Sequence, residues 1–438
     1  MSTTLGARPR QSADRTRNTS RAGSSEPARP PAEQPPHREL VRRELSRYAA
    51  RIRLDALLRE HGSPLFVLDV DRVTTQLLAL RRELPDVQIH FATKSLPHPA
   101  VIHAVDAFGA SFEVASRGEI DLLEREGVAI GRCVHTHPVK TVADITGSYL
   151  RGIRMFVLDS HGEVSKFRGL PSDVAVLVRL SFPNPEVRCD LSSKFGVPPE
   201  HAGELVEHCV RAGLRVAGFT FHVGSQTLSA EPWMRAIHRT LALMRRLERA
   251  HRIGFDTLDI GGGFPVSYDE PVPEFGTLAR GIRTALAEAP RRYRVLVEPG
   301  RFLSAPAMTL ATRVVGTTQR DDGPWAYLDD GVYGAFSNIP SEATHPLVFA
   351  ASELGVRHAS DLEPDRDRAE RRLRALAHEP VTLAGPTCDS LDVIARALPL
   401  PPLRAGDVLV SPMMGAYTSA TATGFNGFAP TPIVVLPG

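Results

Sequence analysis

Between Val87 and Arg301 a short apolar run followed by an amphipathic helical stretch recurs eight times, and few folds accommodate that rhythm. The runs read as strands at Val87–Lys94, Ser111–Ser116, Arg132–Pro138, Arg154–Ser160, Val174–Ser181, Val216–Gly224, Thr257–Gly263 and Arg294–Arg301. Ala100–Phe108, Arg117–Glu126, Glu200–Ala212 and Glu231–Arg252 are among the helical stretches between them. Strands separated by helices pair in parallel, because each helix returns the chain to the same end of the sheet. Eight such units predict an α/β fold built on a (β/α)8 barrel. A doubly wound open sheet is the alternative, and the lack of a GxGxxG after the first strand weighs against it.

Past Arg301 the rhythm stops. Thr309–Val315, Trp325–Leu328, Pro380–Ala384, Asp407–Pro412 and Pro432–Leu436 read as strands without intervening helices, which predicts a mainly β second domain. Glu353–His378 is charge-rich and is expected as an exposed helix or loop. At the other end, Met1 to about His37 is rich in Arg, Ser, Thr and Pro, with almost no large apolar residues to bury. Arg38–Gly62 carries Leu40, Val41, Leu45, Leu54, Leu57 and Leu58 at roughly helical spacing, and Leu65–Val70 reads as a strand. The expected organisation is a disordered tail over 1–37, an N-terminal segment over 38–68 packing with the β-domain, a barrel over 69–305 and a C-terminal β-domain over 306–438.

A net charge of +2 leaves no electrostatic footprint for nucleic acid or an acidic membrane surface. Cys133, Cys189, Cys209 and Cys388 show no CxxC spacing, so neither a metal site nor a disulfide framework is expected. A reducing, cytoplasmic setting fits that usage. No uncharged apolar run reaches membrane-spanning length, and the N-terminus lacks the apolar core of a secretory signal. Of 52 lysines and arginines, only Lys94, Lys140, Lys166 and Lys194 are lysine. That scarcity draws attention to Lys94 and Lys194, with codon bias as the competing explanation.

Catalytic groups of a (β/α)8 barrel gather at the C-terminal ends of its strands. Here those ends carry Lys94, His137-Pro138, Asp159, His222-Val223-Gly224-Ser225, Gly261-Gly262-Gly263 and Glu298-Pro299-Gly300-Arg301. Packing does not account for so many polar and glycine residues in one place. Lys94 is either a surface lysine just past its strand or a desolvated amine that forms a Schiff base with a carbonyl cofactor. Gly261-Gly262-Gly263 is either a tight turn or a set of unhindered backbone N–H donors. Arg301 favours the second reading, because the loops after strands seven and eight form the usual phosphate site and arginine grips phosphate bidentately. Glu298 follows Val295-Leu296-Val297, so its carboxylate needs a partner, either Arg301 or a protonated heterocycle nitrogen. His222 is either a satisfied core histidine or a ring stacked on a flat ligand. In the second domain, Gly385-Pro386-Thr387-Cys388-Asp389-Ser390 joins a thiol and a carboxylate in one turn, with a buried, inert Cys388 as the alternative. Gly415–Thr418 and Gly424–Phe428 form a glycine-punctuated loop nearby in sequence.

Taken in order, FATKS, HVGSQ, DIGGGFP, EPGR, DDGVYGAF, GPTCDS, GAYT and FNGF resemble the fold-type III pyridoxal-phosphate decarboxylases of basic amino acids, most closely the ornithine decarboxylases. The resemblance runs from about Pro64 to Leu436; each motif alone is weak, and the ordered set is specific. It implies a barrel plus β-domain, pyridoxal 5'-phosphate as cofactor, and a head-to-tail homodimer with shared active sites. Carried over by position, Lys94 is the Schiff-base lysine, His222 stacks on the cofactor ring and Glu298 pairs its nitrogen. Ser225, Gly263, Arg301 and Tyr417 hold the phosphate, with Gly261, Gly262 and Gly300 shaping the loops. Cys388 is the proton donor and Asp389 binds the substrate's distal amine, both entering from the partner subunit. Tyr333 and Glu342 join the substrate end. Glu119 matches a glutamate near the lysine, and Lys194 in KFG a lysine that supports the site. Three positions depart from the eukaryotic enzymes: Glu113 and Asp190 replace an aspartate and an arginine, and Glu342 stands near a second substrate-binding aspartate.

The implied reaction is decarboxylation of a basic L-amino acid, L-ornithine to putrescine or L-lysine to cadaverine, in polyamine biosynthesis, with arginine or an unusual amino acid of a specialised pathway as alternatives. The cofactor accepts the electrons left as the Cα–carboxylate bond breaks, and a thiol near Cα returns a proton. Glutamate rather than arginine at 298 favours decarboxylation over racemisation. Diaminopimelate decarboxylase shares fold and cofactor, but FNGF and GPTCDS speak against it. A racemase should lack the CDS turn, and a non-catalytic regulatory homologue has no use for Lys94, Glu298, Arg301 and Cys388 together.

Overall fold

The computed structural model describes residues 36–437 except 186, 188, 189, 291, 343 and 357–376. The tail expected over 1–37, apart from its last two residues, and most of the charge-rich stretch lie outside the described residues. The described chain begins with helices α1 (Pro36–Arg51) and α2 (Leu54–His61) and strand β1 (Leu65–Leu68). Eight parallel strands then close into a barrel. They are β2 (Val87–Ala92), β3 (Ser111–Val114), β4 (Val134–His135), β5 (Met155–Leu158), β6 (Ala175–Leu180), β7 (Arg215–Phe221), β8 (Thr257–Asp259) and β9 (Arg294–Val297). Closure is by β9 on β2, with Val87, Gln88 and Ile89 opposite Val295, Leu296 and Val297.

The two-residue period of a strand sorts its side chains. Phe91, Phe112, Phe156, Val176, Val178 and Val297 belong to the main core that the barrel shares with its covering helices. Val134, Val157, Ala175, Leu177, Ala217 and Leu296, on the opposite phase, form a separate small cluster that fills the barrel. Continuing the inward phase toward the strand ends brings in Lys94, Glu113, Thr136, Arg179, Asp259 and Glu298. Thus the sequence stacks apolar residues at the bottom of the barrel and charge at its mouth. The 21-residue helix Glu231–His251 shows how the outside is covered. Its Trp233, Ile237, Leu241, Met244 and Leu247 are buried, and Trp233 stacks on Phe264 at 5.3 Å.

The second sheet comprises β1 and β10 (Met308–Arg320), β11 (Gly323–Leu328), β12 (Phe349–Ala350), β13 (Glu379–Ala384), β14 (Val393–Leu400), β15 (Val408–Ser411) and β16 (Ile433–Val435). Its order is β12-β15-β10-β11-β13-β14, and β1 adds antiparallel to β10 and parallel to β16. Leu45, Tyr48 and Leu54 from the first helices pack with Leu65, Val67, Ala311, Phe349 and Val410 of this sheet.

The expected strands run too far at the barrel mouth. β2 stops at Ala92, and Lys94 lies in a short helical turn, Thr93–Ser95. β4 keeps only two residues, and Thr136, His137 and Pro138 just past its end line a cavity. β14 is not anticipated by the sequence reading, since Arg396 and Pro399 blur its alternation. The helical turn Asn338–Glu342 also interrupts a region expected to hold strands alone.

Candidate active site

A cavity of about 330 Å³ opens at the C-terminal mouth of the barrel. Lys94, His222, Ser225, Gly263, Glu298, Gly300, Arg301 and Tyr417 line it, and so does Glu342, which the sequence reading places with Tyr333 and Asp389 at the substrate end. Lys94 Nζ donates to Glu113 Oε2. Burial works against the ammonium, but the charge of Glu113, with Tyr417 and Glu298, holds the amine above its ordinary value. Glu113 is 1% exposed. Burial opposes its ionisation, yet Lys94 and the hydroxyl of Thr136 draw it below the usual carboxylate range. Behind it, Glu119 accepts the Ala115 N–H at 2.5 Å, and burial with the charge of Glu113 pushes it up to about 7.

Opposite lies an anion-binding corner. Gly263 has φ 94°, and a Cβ there would stand 2.2 Å from the Gly224 carbonyl. A Cβ on Gly262 would stand 2.4 Å from the Glu298 carbonyl, so the loop admits glycine alone and leaves its backbone bare. Gly261 Cα lies in the same left-handed region, φ 67°. Arg301 is 5% exposed. Its Nη1 donates to the Tyr268 hydroxyl at 2.7 Å and its Nη2 to Glu342 Oε2 at 2.6 Å. Its Nε is buried with no hydrogen-bond partner among the described residues. The Tyr417 ring lies 5.1 Å from the guanidinium, and Ser225 Oγ is 3.5 Å from Glu342 Oε2.

Between the two stands a half-buried acid. Glu298 does not pair with Arg301; its carboxyl shares a hydrogen bond with Asp259. Asp259 also accepts from Thr220 at 3.0 Å and from the Gly261 N–H at 2.9 Å. Burial and the neighbouring Asp259 push Glu298 well above its ordinary value, so it carries the proton the two acids share. His222 Nδ1 accepts the Gly224 N–H at 3.0 Å, and burial, with Arg179 and Lys94 nearby, lowers the ring to about 3. The imidazole is therefore neutral, with its Nε2 protonated.

Other expected residues gather elsewhere. Asp389 Oδ2 accepts from the Tyr333 hydroxyl at 2.6 Å, the Tyr333 ring packs on Phe425 at 4.6 Å, and the Cys388 N–H donates to Asn426 Oδ1 at 3.1 Å. Cys388 is exposed, and none of Tyr333, Cys388 and Asp389 lines the barrel cavity. Lys194 is exposed over Phe195, 5.0 Å from its ring, and Phe195 does line it. Asp190 caps its own turn through Ser192, at 2.9 and 2.7 Å. Sequence reasoning missed Arg179, Thr136, Asp259 and Tyr268; the first three could have been found from the inward phase of their strands. Among the described residues no group of three or more His, Cys, Asp or Glu is arranged to hold a metal ion, and no helix is long and apolar enough to cross a membrane.

An amine, a half-buried protonated acid and an arginine beside glycines around one cavity suit a phosphorylated aromatic aldehyde. A family model described as pyridoxal-dependent decarboxylase, pyridoxal binding domain, matches residues 70–305. The chain belongs to the pyridoxal-dependent decarboxylases. Its cofactor is pyridoxal 5'-phosphate, and the residues fit it: the unpartnered Arg301 Nε and the bare glycine loop are what a phosphate needs. The lysine/ornithine decarboxylase of Selenomonas ruminantium is 32% identical, over 86% of this chain and 91% of that one. The lysine/ornithine decarboxylase of Vibrio vulnificus, solved with putrescine, superposes with a TM-score of 0.79 at 38% identity, covering 89% of this chain and 98% of that one. The arginine decarboxylase of Paramecium bursaria Chlorella virus gives 0.78 at 26% identity, covering 87% and 99%. This decarboxylase thus has the barrel and β-domain that its sequence predicts.

Proposed function

We propose that this decarboxylase acts on a basic L-amino acid, L-ornithine or L-lysine, as a homodimer in which each cavity is completed by the Cys388–Asp389 turn of the partner subunit. The observation that carries the reading is the placement of Lys94, Glu298 and Arg301 on three sides of one cavity. Lys94 is the residue that links the cofactor, Arg301 with Ser225, Tyr417 and the glycine loop holds its phosphate, and His222 supports its ring. When bound, the cofactor supplies a sink for the electron pair released as the Cα–carboxylate bond breaks. Glu298 keeps a proton at the ring nitrogen, drawing on the one it shares with Asp259. His222, uncharged, offers a flat face without competing for that proton. Glu113 holds the Lys94 amine in place.

The substrate class follows from the relatives and from Asp389, which is held below its ordinary value by the Leu391 N–H and the Tyr333 hydroxyl and is thus a ready anion for a cationic side-chain end. The dimer is supported by the exposure of Cys388 away from the cavity, together with Leu391, Phe425 and Phe428, exposed apolar residues beside it. A diamine product fits a role in polyamine biosynthesis, and free cysteines fit a cytoplasmic setting.

A panel of basic amino acids scored for CO2 release and product mass tests the substrate; release of no diamine from ornithine or lysine refutes it. Shared sites are tested by mixing two inactive variants, Lys94→Ala and Cys388→Ala. Random exchange restores up to about a quarter of normal activity if one hybrid site has both residues intact. Demonstrated exchange without recovery refutes the shared site.

A further inference from the structure

All four lysines of this arginine-rich chain stand around the barrel mouth. Lys94 is in the cavity, Lys194 lies over Phe195 on its rim, and Lys140 and Lys166 are behind its wall. Apart from Lys94, Lys140 is the one whose setting arginine cannot reproduce. The residue is 4% exposed, and its nearest carboxylate, Glu163, is 4.0 Å away. Its ammonium donates instead to three main-chain carbonyls, those of His137 at 2.8 Å, Pro138 at 3.1 Å and Val157 at 2.5 Å. Three donors on a compact head match three acceptors; a planar fork of five does not.

The acceptors explain what is being held. His137 and Pro138 line the cavity, whereas Val157 belongs to β5, so one cation ties the loop after β4 to the neighbouring strand. The other groups facing Lys140 reinforce the tie. Glu163 accepts the Lys140 N–H at 3.1 Å and pairs with Lys166, which donates to the Lys140 carbonyl at 2.7 Å. Asp159, just past β5, adds a second negative charge. It also accepts the Gly196 N–H at 2.8 Å, fixing the loop that carries Phe195. The Phe195 ring meets the His137 ring edge-on at 5.4 Å, closing the wall. His135 of β4 and the Phe167 ring, 5.8 Å from the ammonium, complete the surroundings.

We propose that Lys140 is a positioning residue of the active site, pinning the His137–Pro138 wall against Phe195 and so setting the shape of the cavity that receives the amino acid. The inference rests on the substrate reading given above. Burial holds Lys140 at about 8, below its ordinary value, against the pull of Glu163 and Asp159. A neutral amine has two donors for three carbonyls, so the wall loosens as pH rises through that value.

The test follows decarboxylation of L-ornithine and L-lysine by the holoenzyme between about pH 6.5 and pH 9.5, with melting temperature and affinity for pyridoxal phosphate measured alongside. In the unaltered enzyme KM rises on the alkaline side near Lys140's own titration. Lys140→Met raises KM about tenfold at neutral pH, the scale of a displaced substrate wall, and abolishes the alkaline rise. Lys140→Arg does not restore KM. Glu163→Gln removes a charge that favours the ammonium, so the rise moves to lower pH. A folded Lys140→Met with unchanged KM and pH profile, or a Lys140→Arg with normal KM, overturns the proposal. If Lys140→Met does not fold, an unmoved alkaline limb in Glu163→Gln overturns it alone. If the unaltered enzyme releases no CO2 from either amino acid, the substrate reading fails instead. The proposal is then judged by whether affinity for pyridoxal phosphate falls through the same pH in the unaltered protein and not in Lys140→Met.

Discussion

Arg301→Lys separates the phosphate from the rest of the cofactor. The guanidinium is buried, spends two of its donors on Tyr268 and Glu342, and keeps Nε free. Lysine retains the charge but presents a point rather than a fork, so at least one charge-assisted bond to the phosphate is lost. Such a bond contributes about 1.5–3 kcal/mol net, which weakens binding by roughly 10- to 150-fold. The assay is titration of cofactor-free protein with pyridoxal phosphate and, separately, with pyridoxal, followed by the absorbance of the bound aldehyde. The first ligand should lose affinity by that factor and the second by less than about twofold, a change of under 0.5 kcal/mol. Glu342 supplies an internal check. Its carboxylate sits on Arg301 Nη2, where it competes with a phosphate and repels it. Glu342→Gln should therefore tighten pyridoxal phosphate and leave pyridoxal unchanged. Equal losses for both ligands in Arg301→Lys, at unchanged melting temperature, would refute the placement of the phosphate.

Reductive labelling with borohydride should modify Lys94, and a label on Lys194 or on neither would sink its assignment. Glu113→Gln removes the charge that raises the Lys94 amine, so the pH midpoint for labelling that amine in cofactor-free protein should fall; a midpoint that stays or rises contradicts the ion pair. His90 and His135 are both buried and both lowered to about 4 by that burial. The folded chain then binds fewer protons than the unfolded one below about pH 6.5, so the stability these residues contribute is present above that pH and lost as pH falls toward 4. The loss is on the order of 3 kcal/mol for each at full titration, and His90→Leu should flatten the acid limb of the urea midpoint. An acid limb identical in the variant would show that His90 is not the linked group.

The barrel was legible because its signal is repetitive: eight apolar runs alternate with helical stretches, and closing eight parallel strands under covering helices buries both faces of every strand. Motif residues were legible too, since Lys94, His222, Glu298 and Arg301 each break an apolar run at the same end of a strand. Arg179 breaks its run in the same way and was passed over because no motif surrounds it. Strand lengths were not legible. Polar residues at a barrel mouth continue the inward phase for one or two positions after the ladder has ended, and sequence alone reads phase, not pairing. β14 is hidden for a different reason: it pairs with β13 through register shifts at Val381/Leu383 and Leu383/Ala384, and its own alternation is broken.

What no local pattern could supply is the company each charge keeps. Glu298 had two candidate partners in the sequence, Arg301 and a ligand nitrogen, and the structure gives it a third, Asp259, from the adjacent strand. That choice has a chemical consequence. Paired with Arg301, Glu298 would be a settled anion and the arginine would be spent. Paired with a second acid, it holds a proton, and Arg301 beside the glycine loop keeps a donor, Nε, without a hydrogen-bond partner among the described residues. The two readings of Glu298 were therefore never independent of the two readings of Gly261-Gly262-Gly263. Because the acids pair with each other, the cation beside the glycine loop is not spent on Glu298, and the acids' shared proton would be available to a ring nitrogen of the bound cofactor. Lys140 follows the same logic at the opposite wall: a charge without a close counter-ion is held by carbonyls, and the carbonyls belong to the residues that shape the cavity.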